Sequence, residues 1–204
     1  MVTKFSLKPN ANEYQLMFST MVIDETKRGE INAALNKIKA GKDVYEKIAQ
    51  KVNPKIPYYA IGIAHCMECY CDFTKHIHCG DPLTKRTVNE PKGRPIAEPL
   101  AGQGEPYTFE ESCIDWLNMK GWNKWQDWGI SDILARLELN NGTGYRKLFI
   151  PTPYLWSYTN YYGQAPYIGK YVSDGVFKKY DDKGKPIVSK QVGAAILLYE
   201  LTKA

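Results

Sequence analysis

The chain has 204 residues, 44% of them hydrophobic and 24% charged, with a formal net charge of +5. That length suits one well-buried domain, and the composition excludes a disordered or collagen-like chain. No apolar run approaches the ~20 residues that span a bilayer. The basic residues are interleaved with acids, as in KRGEINAALNKIKAGK, rather than gathered on one stripe. Neither membrane insertion nor a nucleic-acid partner is therefore expected.

Residues 1–28 read as a polar lead-in, and 29–204 as a single domain. The opening MVTKFSLKPNANEYQ lacks the apolar stretch and cleavage site of a signal peptide, which predicts synthesis in a cytoplasm. From Gly29 the spacing of Ile31, Ala34, Leu35 and Ile38 predicts an amphipathic helix. Gly41 interrupts it, and Val44, Tyr45, Ile48, Ala49 and Val52 resume the pattern after Asp43, read as an N-cap. Asn53-Pro54 and Pro57 end that element.

YYAIGIAHCMECYCDF follows and reads as a buried helix carrying Glu68. Residues 74–104 are rich in Gly, Pro, Asp and Thr and read as a hairpin or extended loop, with short strands around LTKRTV. Thr108 with Glu111 fits a capping box that opens the helix TFEESCIDWLNMK. SDILARLELN is a further helix, capped by Ser131 or Asp132 and broken at Asn141-Gly142. A Tyr- and Pro-rich stretch leads to an apolar closing helix in KQVGAAILLYELTKA. The expected class is α+β: mostly helical, with a small β or loop insertion after the Glu68 helix.

Glu68 is flanked by Cys66, Met67 and Cys69. Apolar surroundings disfavour the charged form of a carboxyl, and a carboxyl kept protonated near neutral pH can serve as a general acid. Four of the five cysteines, Cys66, Cys69, Cys71 and Cys79, lie within fourteen residues, alongside His76 and His78. Thiolates and imidazoles at such spacing are zinc ligands. Against zinc, a second CxxC or HxxxH knuckle is missing, and cysteines on a buried helix behave as small hydrophobes. The expectation is no metal and no cofactor.

The order of motifs carries a resemblance. His65-Cys66-Met67-Glu68 is followed by His76-Ile77-His78-Cys79-Gly80-Asp81-Pro82-Leu83, then Ser112-Cys113-Ile114-Asp115-Trp116, then Glu138-Leu139-Asn140-Asn141-Gly142-Thr143-Gly144-Tyr145, then Pro153-Tyr154-Leu155-Trp156-Ser157. Over residues 58–198 this resembles phage and bacterial members of the lysozyme-like superfamily. LNNGTGY is similar to the Tyr-Asn-x-Gly segment of lytic transglycosylases and goose-type lysozymes, with Leu139 standing where those have Tyr.

The resemblance implies a lysozyme-like fold and a glycosidase that cleaves the β-1,4 MurNAc–GlcNAc linkage of peptidoglycan. Glu68 would be the general acid. Asp81 would stabilise the oxocarbenium-like transition state or orient water, with Thr87 placing that water; Asp72 is the rival second carboxylate. His65, Asn140, Asn141, Gly142, Tyr145, Tyr154 and Trp156 would contact the sugar. A cytoplasmically made enzyme acting at the bacterial cell wall fits a phage endolysin or a virion-carried lysin. The alternatives are a lytic transglycosylase, a chitinase or chitosanase, and a zinc-stabilised glycan-binding module without catalysis.

Overall fold

A computed structural model describes residues 10–98, 106–173 and 175–203. In chain order the helices are α1 (Ala11–Ser19), α2 (Arg28–Ala40), α3 (Lys42–Val52), α4 (Tyr58–Cys69), α5 (Phe109–Met119), α6 (Ile130–Asn141), α7 (Gly144–Lys147) and α8 (Pro153–Trp156). Strands β1 (Lys170–Ser173) and β2 (Val176–Lys178) and the closing helix α9 (Ala194–Thr202) follow. The class is α+β, mostly helical with one two-stranded antiparallel sheet among the described residues. No helix among them is long and apolar enough to cross a membrane.

The chain divides into two compact units, one built from residues 1–33 with 129–204 and the other from 34–128. The lead-in expected at 1–28 is thus part of a packed unit over its described residues. Asn10 caps α1 by accepting the Glu13 N–H at 2.7 Å, and Tyr14 and Met17 are buried as α1 packs on α6. In the same unit α8 packs on α6 and α9, and the apolar run AAILL that opens α9 is buried on every side.

The charged centre of this unit is Arg146 on α7. Its guanidinium donates to Glu138 at 2.7 Å, to Glu13 at 2.8 Å and to the Tyr14 hydroxyl oxygen at 3.0 Å. Tyr14 in turn donates to Glu138 at 2.6 Å. Sealed charges such as these are tolerated because they are paired and hydrogen-bonded.

The second unit is organised by α4, which is buried from Ala60 to Met67. Gly62 permits that: a Cβ there would sit 2.7 Å from Ile38 and 3.0 Å from the Tyr45 ring. Helix α3 packs against both α4 and α5. Gly41 separates α2 from α3 as expected, while Asp43 lies in the first turn of α3 rather than at its cap. The Thr108–Glu111 capping box of α5 is formed in both directions. Trp116 and Trp122 are fully buried and meet edge to face, with ring centroids 5.2 Å apart.

The β structure is not where the sequence pattern placed it. Residues 74–98 contain no strand, only an isolated bridge between Lys75 and Pro82, and 99–105 lie outside the described residues. Pro82, Pro91 and Pro95 have no N–H to give a ladder. Other N–H groups of the loop are taken by side chains: Val88 and Asn89 by Asp81, and Arg94 by Thr87. The sheet instead pairs β1 with β2, antiparallel, with Tyr171 opposite Phe177 and Lys170 opposite Lys178.

Candidate functional site

Glu68 sits in the last turn of α4, half-buried, on the wall of an open cavity of about 500 Å³. Lys37, Asp72, Lys75, Cys79 and Gly80 share that wall with Cys69, Tyr70 and Cys71. The cavity exists because α4 stops abruptly. Tyr70 and Cys71 both take the left-handed conformation, at φ 58° and 57°, and turn the chain back along its own helix. Asp72 therefore does not continue the helix of Glu68; it follows the turn and opens onto the same cavity. Its Oδ1 accepts the Thr74 N–H at 3.0 Å and the Thr74 hydroxyl at 2.6 Å, and Lys75 lies 3.5 Å from Oδ2. The Thr74 hydroxyl, its N–H and Lys75 hold this carboxyl below the usual carboxylate range.

Asp81 has a different situation. It is buried, with Oδ2 accepting the Val88 and Asn89 N–H groups at 2.8 and 2.9 Å and Oδ1 the Asn89 amide at 2.6 Å. The Asn89 and Val88 donors hold its pKa at about 2. Both oxygens are committed to closing the 81–89 loop, and Asp81 is not on the Glu68 cavity wall. Thr87 is likewise committed: its hydroxyl donates to the Pro91 carbonyl and accepts the Arg94 N–H at 2.9 Å. The expected pointing of Asp81 across a cleft from a Gly-Asp-Pro turn is replaced by a loop-tying role that local sequence did not reveal.

His65 is a core residue. It is fully buried between Phe73 and Phe109, with its Nδ1 2.9 Å from the Tyr45 hydroxyl and its Nε2 3.3 Å from the Asp72 carbonyl. A carbonyl can only accept, so the proton lies on Nε2 and the Tyr45 O–H donates to Nδ1. Burial pushes the His65 pKa down to about 4, leaving the ring neutral. His65 thus anchors the turn that presents Asp72 and does not reach the cavity wall.

The expected sugar-contacting residues other than His65 lie in the other unit, and four of them come together. Asn141, Gly142, Tyr145 and Tyr154 line an open cavity of about 510 Å³, with Lys170 and Tyr171 from β1 and with Gln191. The hairpin closes on Tyr145 through its hydroxyl, which accepts the Tyr171 N–H at 3.2 Å. The two rings stand edge to face at 5.1 Å. Gly144 makes this approach possible, since a Cβ there would lie 3.0 Å from the Tyr171 hydroxyl. Asn140 and Trp156 are not on this wall. Trp156 is fully buried beneath it, a packing role that its place in the same short helix as Tyr154 did not distinguish.

The zinc alternative can be judged on the donors. His76 turns to the Ser112 hydroxyl and the Lys85 carbonyl, each at 2.9 Å, and His78 to Asp115 at 2.9 Å. Among the described residues no three His, Cys, Asp or Glu side chains converge to hold an ion. All five cysteines are free thiols.

Compared with protein-family models, with curated proteins and with solved structures, the chain finds no match in any of the three.

Proposed function

We propose that the protein is a glycosidase of the lysozyme-like kind, cleaving a β-1,4-linked amino-sugar polymer such as peptidoglycan. The observation that carries the reading is the pairing of two carboxyls, Glu68 and Asp72, on the wall of one open cavity at the end of the apolar helix α4. Glu68, flanked by Met67 and Cys69, is the general acid that protonates the glycosidic oxygen. Asp72, kept ionised by Thr74 and Lys75, stabilises the positive charge that develops on the sugar ring or orients the attacking water. This moves the second carboxylate from Asp81 to Asp72, because Asp81 has both oxygens engaged in its loop. Action at the bacterial cell wall, as a phage lysis enzyme or virion-carried lysin, belongs to the same reading.

The decisive experiment is clearing of purified peptidoglycan by the intact chain and by Glu68→Gln, with mass spectrometry of the products. Clearing by the intact chain that Glu68→Gln loses supports the assignment. Near-normal clearing by a folded Glu68→Gln removes it. Products with reducing ends mark a hydrolase; anhydro-sugar ends mark a lytic transglycosylase.

A second reading is a glycan-binding module without cleavage. Its support is the cavity formed by Asn141, Gly142, Tyr145 and Tyr154, where aromatic edges and amides lie together as sugar hydroxyls require. Saturable oligosaccharide binding with no product formed would favour it.

A further inference from the structure

Two of the chain's three histidines stand in one buried line of hydrogen bonds. His76 is fully buried in the loop after α4. Its Nε2 lies 2.9 Å from the Lys85 carbonyl oxygen, and its Nδ1 lies 2.9 Å from the Ser112 hydroxyl. The same hydroxyl lies 3.3 Å from Nδ1 of His78, whose Nε2 is 2.9 Å from a carboxylate oxygen of Asp115. Ser112 and Asp115 are one turn apart on α5, so both imidazoles dock on one face of that helix. Ser112 and the His78 side chain are sealed from solvent, so their polar atoms depend on protein neighbours.

Counting hydrogens along the line gives an excess of one. Asp115 is ionised: burial works against its charge, but the His78, Ile96 and Arg94 donors outweigh burial and hold the carboxyl below its ordinary value. Both ends of the line are therefore acceptors. A carbonyl cannot donate, so His76 Nε2 carries a hydrogen. A carboxylate cannot donate, so His78 Nε2 carries one too. The Ser112 hydroxyl has one hydrogen and fills one of the two inner contacts, so the other needs a hydrogen on an imidazole Nδ1. Four contacts need four hydrogens, and two neutral imidazoles with one hydroxyl supply three. The line is complete only when one ring carries both of its hydrogens.

The surroundings put that charge on His78. His76 is bonded only to neutral groups, and burial pushes its pKa down. His78 is bonded to the Asp115 carboxylate. The other charged or titratable groups facing the pair are Asp81 from their own turn, Arg94 from the next loop, 3.3 Å from Asp115, and the Tyr107 phenol, whose ring is 5.7 Å from that of His76.

We propose that His76, Ser112 and His78 hold one proton beyond their neutral count, carried by His78 as an imidazolium, and that this proton latches the 76–81 turn to α5. The turn places Cys79 and Gly80 on the wall of the Glu68 cavity. It is closed by the Gly80 N–H donating to the His76 carbonyl at 2.8 Å and the His76 N–H donating to the Asp81 carbonyl at 2.7 Å. Loss of the proton leaves one inner contact without a hydrogen and removes the positive charge bonded to Asp115. The latch is therefore closed while the proton is bound and loosens as the pH rises through the titration of His78. The inference does not depend on the glycosidase reading, since protonation is read without any substrate.

The test is long-range proton–nitrogen correlation NMR on the isotope-labelled full-length chain, whose three histidines give three ring patterns. At about pH 7.5 a free imidazole, with its ordinary value of about 6.5, is about nine-tenths neutral. His78 should instead show both nitrogens protonated, and His76 should be neutral with its hydrogen on Nε2. Asp115→Asn should turn His78 neutral at that pH. Ser112→Ala separates the line from a plain ion pair, because it leaves Asp115 in place. It should lower the midpoint of the His78 titration by about one pH unit, the share of one charged hydrogen bond. Passing through the midpoint in the parent chain should speed exchange of the Gly80 amide hydrogen by about tenfold beyond its intrinsic pH dependence. Four results overturn the proposal: a His78 with one protonated nitrogen at about pH 7.5, a charge on His76 instead, a midpoint unmoved by Ser112→Ala, or a Gly80 amide that follows only its intrinsic rate. The parent spectra decide all but the third even where a variant fails to fold.

Discussion

Arg146 and Glu138 meet at 2.7 Å with both side chains sealed from solvent, on α7 and at the end of α6. Each sealed charge is tolerable because it is paired: Glu138 by Arg146, and Arg146 by Glu138 and Glu13. Glu138→Gln keeps the shape and removes the buried negative charge beside the guanidinium, leaving the Glu13 carboxylate and the Tyr14 hydroxyl next to it. The expected loss is about 3–5 kcal/mol, the cost of stranding a buried charge. Urea unfolding followed by circular dichroism reads it; a midpoint within error of the parent chain would mean that the pair contributes nothing.

Glu68→Gln tests chemistry without disturbing packing. The side chain is half-buried at a helix end, so the unfolding midpoint should stay close to that of the parent. Turnover on the polymer should fall by ~10²-fold or more, the scale of general acid catalysis. A midpoint shift as large as the activity loss would point to structure rather than proton transfer.

Asp72 and Asp81 should separate cleanly. Asp72→Asn should lower turnover and leave stability near that of the parent, because its carboxylate caps only a local turn. Asp81→Asn should destabilise the unit, since three donors converge on the carboxylate it removes. The folded pKa of Asp81, about 2, is depressed from the unfolded value of about 3.9. Its contribution is therefore full above pH ~4 and is lost as the pH falls toward ~2. Unfolding midpoints against pH should show that fall in the parent and a shallower one in Asp81→Asn.

His65 works in a higher window. Its folded pKa of about 4 lies below the unfolded value of about 6.5, so between those limits only the unfolded chain takes up the proton. Its share of stability is complete above pH ~6.5 and declines as the pH falls toward ~4. In an NMR titration its imidazole signals should stay at the neutral position down to about pH 5. A midpoint near 6.5 would show that the ring is open to solvent.

Tyr154 and Trp156 sit two residues apart on one short helix and should give opposite results. Trp156→Ala should cost about 3–5 kcal/mol, the range for a large aromatic removed from a core. Tyr154→Phe should leave stability nearly unchanged and weaken oligosaccharide binding, because the ring lines the cavity beside Tyr145. Calorimetric titration with a chitin- or peptidoglycan-derived oligosaccharide checks the second, and urea unfolding the first.

Local rules were enough for much of this chain. The apolar spacing before Gly41, the Thr108–Glu111 box and the Gly142 break each act within a few residues, and the helices they mark are formed. The same holds for the buried α4, whose side chains are apolar on every face before Glu68.

What local pattern could not supply is the partner of a polar group distant in sequence. Asp81 in a Gly-Asp-Pro turn looks the same whether its carboxylate faces a cleft or ties down Val88 and Asn89. His65 one turn before Glu68 looks the same whether it tunes that carboxyl or bonds Tyr45, twenty positions earlier. Arg146 reads as a surface cation until Glu13, from the far end of the chain, arrives beside it. The sequence by itself marked the α2–α6 and α9 segments as helical and the capping box of α5, because periodicity and capping are short-range, but it missed the caps of α3 and α6 and the helices α1, α7 and α8. Tertiary structure alone decided which carboxyls, hydroxyls and imidazoles remain free to act, because burial and hydrogen-bond pairing depend on what the folded chain brings next to them.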